Sequence, residues 1–235
     1  MSTIDPDLLL KAYSIGVFPM ADSRDAKELF WVEPKRRAIL PLDRFHLSKS
    51  LSKTLKSNTF EVTRDLAFGE IVRLCAAREE TWINSQIEAS YQRLFEAGRA
   101  HSIEVWRGGM LAGGLYGVSL GTAFFGESMV SLARDASKVA LAWLVARLKV
   151  GGYRLLDCQF MTDHLKSMGA VEIDQKDYLA LLDSALGGVG GGGVGEASTG
   201  AAEFAALDRL LDSRAEGAGS PPPGWVIAQL IGQTS

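Results

Sequence analysis

Apolar positions along this chain follow a period of 3.6 in some stretches and a period of 2 in others, and the switch points divide it into helices and strands. Asp5 is a natural N-cap, Pro6 fits a first helical position, and Leu9, Ala12 and Tyr13 share a face before Gly16, so a helix is predicted there. Gly16-Val17-Phe18-Pro19 then turns the chain, and Leu29 to Val32 reads as a short strand leading into Glu33-Pro34. Leu47, Leu51 and Leu55 recur at helical spacing with lysines between them, which predicts a helix anchored on one side and positive on the other. Phe68, Ile71, Val72 and Cys75 predict another helix and place Cys75 in a core. Ser85 and Glu88 read as a capping box opening a third, with Ile87, Tyr91, Leu94 and Phe95 inside and Gly98 as its stop.

Next come three strand-like runs, Ser102 to Trp106, Leu111 to Val118 and Thr122 to Glu127, joined by short glycine-bearing connections that predict an antiparallel meander. Asp135 to Val150 is the clearest helix, with Leu141, Leu144, Val145 and Leu148 on one face and Gly151-Gly152 as its stop. Tyr153 to Phe160 is again a strand. A strand, a helix crossing back and another strand predict a parallel pair, so the fold class is α+β with a mixed, partly parallel sheet.

Beyond Leu186 the pattern breaks: Gly187 to Gly195 holds seven glycines, and Pro221, Pro222 and Pro223 lie farther on. Such backbone loses much entropy on ordering, and 187–235 is expected to be a mobile extension, although Phe204, Leu207, Leu210 and Leu211 carry a short helical pattern. With a boundary near Pro34, three parts are expected: 1–33, 34–186 and the extension.

Charge changes the picture only locally. The 235 residues carry 25 Lys plus Arg against 28 Asp plus Glu, a net −3, which excludes a generally basic nucleic-acid coat. Between Lys35 and Asn58, however, seven basic residues (Lys35, Arg36, Arg37, Arg44, Lys49, Lys53 and Lys56) face Asp43 alone. A solvated surface or a patch for polyanions both fit that excess. The longest uncharged stretch, Gly108 to Gly126, is interrupted by seven glycines, so no membrane span is expected. The start lacks the features of a secretory signal and only two cysteines occur, so a reducing cytoplasm is the expected location.

Candidate chemistry sits on the last strand, where Asp157 and Gln159 point to one side and Leu156 and Cys158 to the other. A carboxylate and an amide among apolar residues form either a structural pair or a reacting one. Glu127 ends a very apolar run, either capping a helix at Ser128 to Ser131 or sharing a cleft with Asp157 if their strands are neighbours. His46, His101 and His164 have no zinc-site spacing, Asp163-His164 lacks a nucleophile motif, and no phosphate-cradling loop is present. Trp31 before the basic cluster and Trp82 in a loop are either core or a grip for an unstacked base.

Together these stretches resemble the bacterial leucyl/phenylalanyl-tRNA–protein transferase family. The resemblance runs in order through Gly16-Val17-Phe18-Pro19, Trp31 to Arg37, Phe45 to Ser50, Glu80 to Asn84, His101 to Trp106, Gly113 to Val118, Phe125 to Met129, Ala136-Ser137-Lys138, Leu156 to Phe160, Asp163-His164 and Gly169-Ala170. It implies a small N-terminal domain followed by a GNAT-like acyltransferase domain. It also implies an aminoacyltransferase that moves Leu, and less readily Phe, from Leu-tRNA or Phe-tRNA to the N-terminal Arg or Lys of a protein, marking it for degradation by the N-degron pathway. No cofactor or metal is expected, because the tRNA ester is already activated.

By resemblance the catalytic positions are Asp157, Gln159 and Glu127, with Gln159 accepting a hydrogen bond from the amine, Asp157 polarising and orienting it, and Glu127 adding negative potential. The aminoacyl pocket falls on Leu115, Met129, Leu141 and Leu156, and the terminal adenosine of the tRNA on Trp31 and Trp82. Lys35, Arg36, Arg37, Lys49 and Lys53 are expected on its backbone. The chain departs from the pattern at Val130 and Leu132, where family members commonly carry Phe and Arg. The competing readings are an acetyl-CoA-dependent GNAT-like acetyltransferase, disfavoured by the absence of glycine in Leu132 to Ala136, and a non-catalytic tRNA-binding module.

Overall fold

The predicted meander becomes three long strands at the centre of the molecule. The computed structural model describes residues 3–187, 202–215 and 223–232. Its chain order begins α1 (Pro6–Ser14), β1 (Phe18–Met20), β2 (Phe30–Val32), β3 (Arg36–Ile39), α2 (Lys49–Lys56) and β4 (Glu61–Arg64). It continues α3 (Phe68–Ala76), α4 (Ser85–Glu96), β5 (Ala100–Arg107), β6 (Met110–Leu120), β7 (Ala123–Ser131), α5 (Ala136–Val150) and β8 (Leu155–Gln159). The last elements are α6 (Asp163–Ser167), β9 (Val171–Asp174), α7 (Gln175–Ala185), α8 (Ala206–Ala215) and α9 (Pro223–Gly232).

Seven strands form one sheet in the order β4-β5-β6-β7-β8-β3-β9, and β1 and β2 form a separate antiparallel pair. Within the large sheet β7 and β8 run parallel, as a strand–helix–strand crossover requires, and the remaining pairs are antiparallel. The fold is therefore α+β with a mixed sheet. Successive residues of a strand face opposite sides, and the core divides accordingly. Leu115, Phe124 and Leu156 enter an apolar layer with α2, α5, α8 and α9, whereas Tyr116, Phe125 and Leu155 enter a second layer with α1, α3, α4 and α7.

Two local expectations are corrected. Asn84, not Ser85, caps α4, its side chain accepting from the Ile87 N–H at 2.9 Å, while Glu88 pairs with Arg24. Phe18-Pro19 belongs to a strand rather than a turn, because β2 supplies its backbone partners.

The larger correction concerns the extension. Its described parts are docked: Phe204, Leu207, Val226, Ile227 and Ile231 are buried, and Phe204 stacks on Phe124 and His101 at centroid distances of 5.4 and 4.1 Å. Helix α5 explains why, since Val139 to Leu148 are buried on every side rather than on the one face expected. Arg147, buried within α5, donates to the Phe204 carbonyl at 2.7 Å and pairs with Asp208 at 2.5 Å, so the segment supplies the partners that a buried guanidinium needs. The glycine-rich run beyond Gly187, and Pro221 and Pro222, lie outside the described residues.

Candidate active site

Asp157, Gln159 and Glu127 do meet. Strand β3 lies antiparallel to β8 with Ile39 opposite Asp157 and Ala38 opposite Gln159, and this register brings Arg37 onto the carboxylate. Arg37 Nε lies 2.9 and 3.1 Å from the two Asp157 oxygens and Nη2 lies 2.5 Å from one of them, while Tyr178 Oη donates to the same group at 2.8 Å. The remaining guanidinium nitrogen donates to the Gly16 carbonyl at 3.0 Å, and the Phe18 and Tyr178 rings flank the cation at 4.7 and 4.5 Å. Burial works against the Arg37 charge, but Asp157 outweighs it and the guanidinium is held more firmly protonated than usual.

One expectation falls here. Arg37 is 1% exposed and spent on Asp157, so it is not a phosphate contact; Arg36 is exposed but pairs with Glu172 and Asp174 at 3.2 and 2.5 Å. Asp157 is sealed at 0% exposure with its oxygens occupied by Arg37, Tyr178 and the Gln159 N–H. Its Oδ1 accepts the Gln159 backbone N–H at 2.8 Å and supports that residue in the left-handed conformation, φ 62°.

Glu127 lies inside a strand, not at a helix cap, because β7 continues to Ser131. The β6–β7 register passes from Gly117 opposite Gly126 to Tyr116 opposite Ser128, which makes Glu127 the extra residue of a β-bulge. The bulge closes tightly: a Cβ on Gly117 would overlap the Phe125 carbonyl and the Phe124 ring. Re-aimed by it, the Glu127 carboxylate receives Tyr13 Oη and Tyr91 Oη at 2.6 Å each, and Gln159 Nε2 at 2.9 Å. Burial pushes this carboxyl up to about 7, with the nearby Asp157 charge adding to the effect and the three hydrogen bonds holding it down. Because its Nε2 is engaged by Glu127, the Gln159 amide has a fixed orientation and its oxygen is left as the acceptor.

The three tyrosines were absent from the candidate set. Tyr13 and Tyr91 sit on predicted apolar faces and read there as packing, yet a buried phenol needs a hydrogen-bond partner, and that requirement was the available signal. Asp163 and His164 are adjacent on α6 and do not face each other. Among the described residues, no group of His, Cys, Asp or Glu is arranged to hold a metal, and no helix is long and apolar enough to cross a membrane.

Of the expected pocket residues, Leu115, Leu141 and Leu156 are at most 3% exposed and share one apolar cluster, against which the partly exposed Met129 packs. Val130 turns to the opposite face from Met129, into the layer that holds Tyr91, and Leu132 is exposed just beyond β7. Trp31 is 41% exposed on β2; Trp82 is half-buried, and its carbonyl accepts the Ala21 N–H at 3.0 Å. Lys35, Lys49 and Lys53 are exposed and make no ion pair with any described residue.

This geometry is a buried acid–amide pair backed by a neutralised ion pair, on a mixed sheet. Comparison with known proteins gives it a chemical class. The chain matches the sequence profile "Leucyl/phenylalanyl-tRNA protein transferase" over residues 39–183 and that family's N-terminal-domain profile over residues 2–35. It is 60% identical to the leucyl/phenylalanyl-tRNA–protein transferase of Rhizorhabdus wittichii, covering 100% of both chains, and 53% identical to that of Novosphingobium aromaticivorans, covering 99% of this chain and 97% of the relative. It is also similar to the crystal structure of FemX, with TM-score 0.48 and 12% identity over 72% of this chain and 66% of that one. The family match and these relatives define an aminoacyltransferase that draws its acyl group from tRNA. The chain belongs to the leucyl/phenylalanyl-tRNA–protein transferase family.

Proposed function

We propose that the chain joins Leu, and less readily Phe, from aminoacyl-tRNA to the N-terminal Arg or Lys of a protein, marking it for degradation by the N-degron route, with Gln159 as the group that meets the amine and Glu127 as the acid coupled to it. An N-terminal amine with a pKa near 8 is only about a tenth neutral at pH 7, so attack needs orientation and a proton acceptor. The Gln159 oxygen accepts a hydrogen bond from the nitrogen and aims it. The nitrogen bonds to the ester carbonyl, the carbonyl–ribose oxygen bond breaks, the amine gives up a proton and the ribose hydroxyl gains one. A carboxyl held near 7 is suited to carrying that proton.

The single observation that carries these roles is the 2.9 Å bond from Gln159 Nε2 to Glu127, which couples the orienting amide to the titrating acid. The Asp157–Arg37 pair serves as its rigid, neutral footing. Met129 forms the lip and Leu115, Leu141 and Leu156 the floor of the aminoacyl pocket, which favours Leu over Val by about 1–3 kcal/mol. Trp31 and Trp82 hold the terminal adenosine, and Lys35, Lys49 and Lys53 meet phosphates. In this division Trp31 comes from 1–33 and the reacting groups from 34–186. The test is transfer of labelled Leu from Leu-tRNA to a peptide beginning with Arg. Transfer that falls at least tenfold in Gln159→Ala supports the proposal; no transfer by the folded wild-type protein overturns it.

A further inference from the structure

Helix α9 lies outside both family-profile matches, yet it is seated on a short helix that carries three lysines. Helix α2 carries Lys49, Lys53 and Lys56 and no acidic residue, and its apolar side is sealed by Leu51 and Leu55. Its polar side is an open flank of Lys49, Ser52, Lys53, Lys56 and Ser57. Gly224 sets how closely α9 approaches, since a Cβ there would run into the Leu55 carbonyl.

With Val226, Ile227 and Ile231 buried beneath it, Trp225 is turned outward and left 48% exposed beside the lysines. The Lys56 ammonium sits 4.8 Å from the centre of its ring. No carboxylate among the described residues pairs with it. An exposed indole beside a cationic, hydroxyl-bearing helix flank is matched to a chain of alternating anions and flat or puckered rings.

We infer that α9 and α2 form one composite surface for the sugar–phosphate backbone of the donor tRNA, with the α2 lysines on phosphates and Trp225 packed against a ribose or an unpaired base. The inference rests on the proposed function and adds to it a contact from the C-terminal segment. The partner is RNA rather than an acidic protein because the exposed indole supplies a stacking face that a carboxylate-rich peptide does not use.

The two kinds of contact separate by salt. Each lost phosphate contact lowers the slope of log affinity against log salt, whereas a lost stacking contact lowers affinity and leaves the slope. Full-length Trp225→Ala should weaken Leu-tRNA binding about five- to tenfold at an unchanged salt slope, with the change appearing in KM rather than kcat. Trp225→Phe should recover most of it, and Lys53→Ala should reduce the slope by somewhat less than one. Thermal melts of each variant identify any loss caused by undocking of α9, and Trp225→Phe remains the deciding variant if Trp225→Ala melts early. Affinity within twofold of wild type in a folded Trp225→Ala protein overturns the inference. So does a weakening that Trp225→Phe does not relieve. Failure of the underlying reading looks different: wild-type protein then transfers nothing from Leu-tRNA.

Discussion

Glu127→Gln preserves the shape of the acid and removes its charge, and its effect on stability depends on pH in a direction fixed by the site. In the native chain burial holds this carboxyl protonated up to about 7, while unfolded it releases its proton near 4.5. Between those values the native state binds more protons, so stability falls as pH rises. The group carries no penalty below 4.5, an increasing one through the interval and a constant one above about 7. The gap corresponds to roughly 3 kcal/mol, accumulated because a charged carboxylate must stay in an apolar layer with two phenols and an amide as its solvent.

Urea unfolding of wild type and Glu127→Gln, from about pH 5 to about pH 8, isolates this group, since all other titrations cancel in the difference. At the acid end the two proteins should be of similar stability. At the alkaline end the balance should have moved by roughly 2.5 kcal/mol in favour of the glutamine variant, which nonetheless transfers Leu poorly. A stability difference that does not change with pH, or one that moves the other way, refutes the assignment of Glu127 as a carboxyl kept near neutrality by burial.

Arg37→Met should destabilise by about 3–5 kcal/mol in denaturant unfolding, because it strands the Asp157 carboxylate in the core, whereas Lys35→Met, on the surface two residues earlier, should cost under about 0.5 kcal/mol. Truncation after Gly187 should lower the melting temperature sharply and expose apolar surface to a hydrophobic dye, since it uncovers α5 and leaves Arg147 without Asp208. A truncated chain that melts with the full-length protein would return the extension to the status of a loose tail.

Much of the fold was legible because periodicity is a local signal. The meander β5–β7, helix α5 and the parallel return through β8 each announce themselves within a dozen or so residues, and the alternation in Leu156-Asp157-Cys158-Gln159 set both polar side chains on one face. Pairings across the sheet are not local. Nothing near Arg37 distinguishes it from Lys35 or Arg36, and only the β3–β8 register turns one of three basic neighbours inward onto an acid 120 positions away. The docking of α8 and α9 was hidden for a related reason. Glycine content measures what a linker does, whereas the sign of a partner lay in α5, whose Trp143 and Ala146 lie off the leucine face and needed cover.

The two carboxylates of the site, close together and both buried, are kept distinct by their neighbours rather than by their strands. Asp157 is paired with a guanidinium where it stands; Glu127 has only neutral donors, and its charge is conditional on pH. Both arrangements draw on the same N-terminal stretch. Tyr13 on α1 donates to Glu127, and the Gly16 carbonyl that ends that helix receives Arg37. A displacement of α1 would therefore loosen the acid and its ion-paired footing together, so changes along Leu9, Ala12 and Tyr13 should act on turnover as well as on stability. The first helix contributes no strand to the seven-stranded sheet, yet it is fully buried at Leu9 and Tyr13, so a substitution at either should move turnover and stability together if the proposed roles hold.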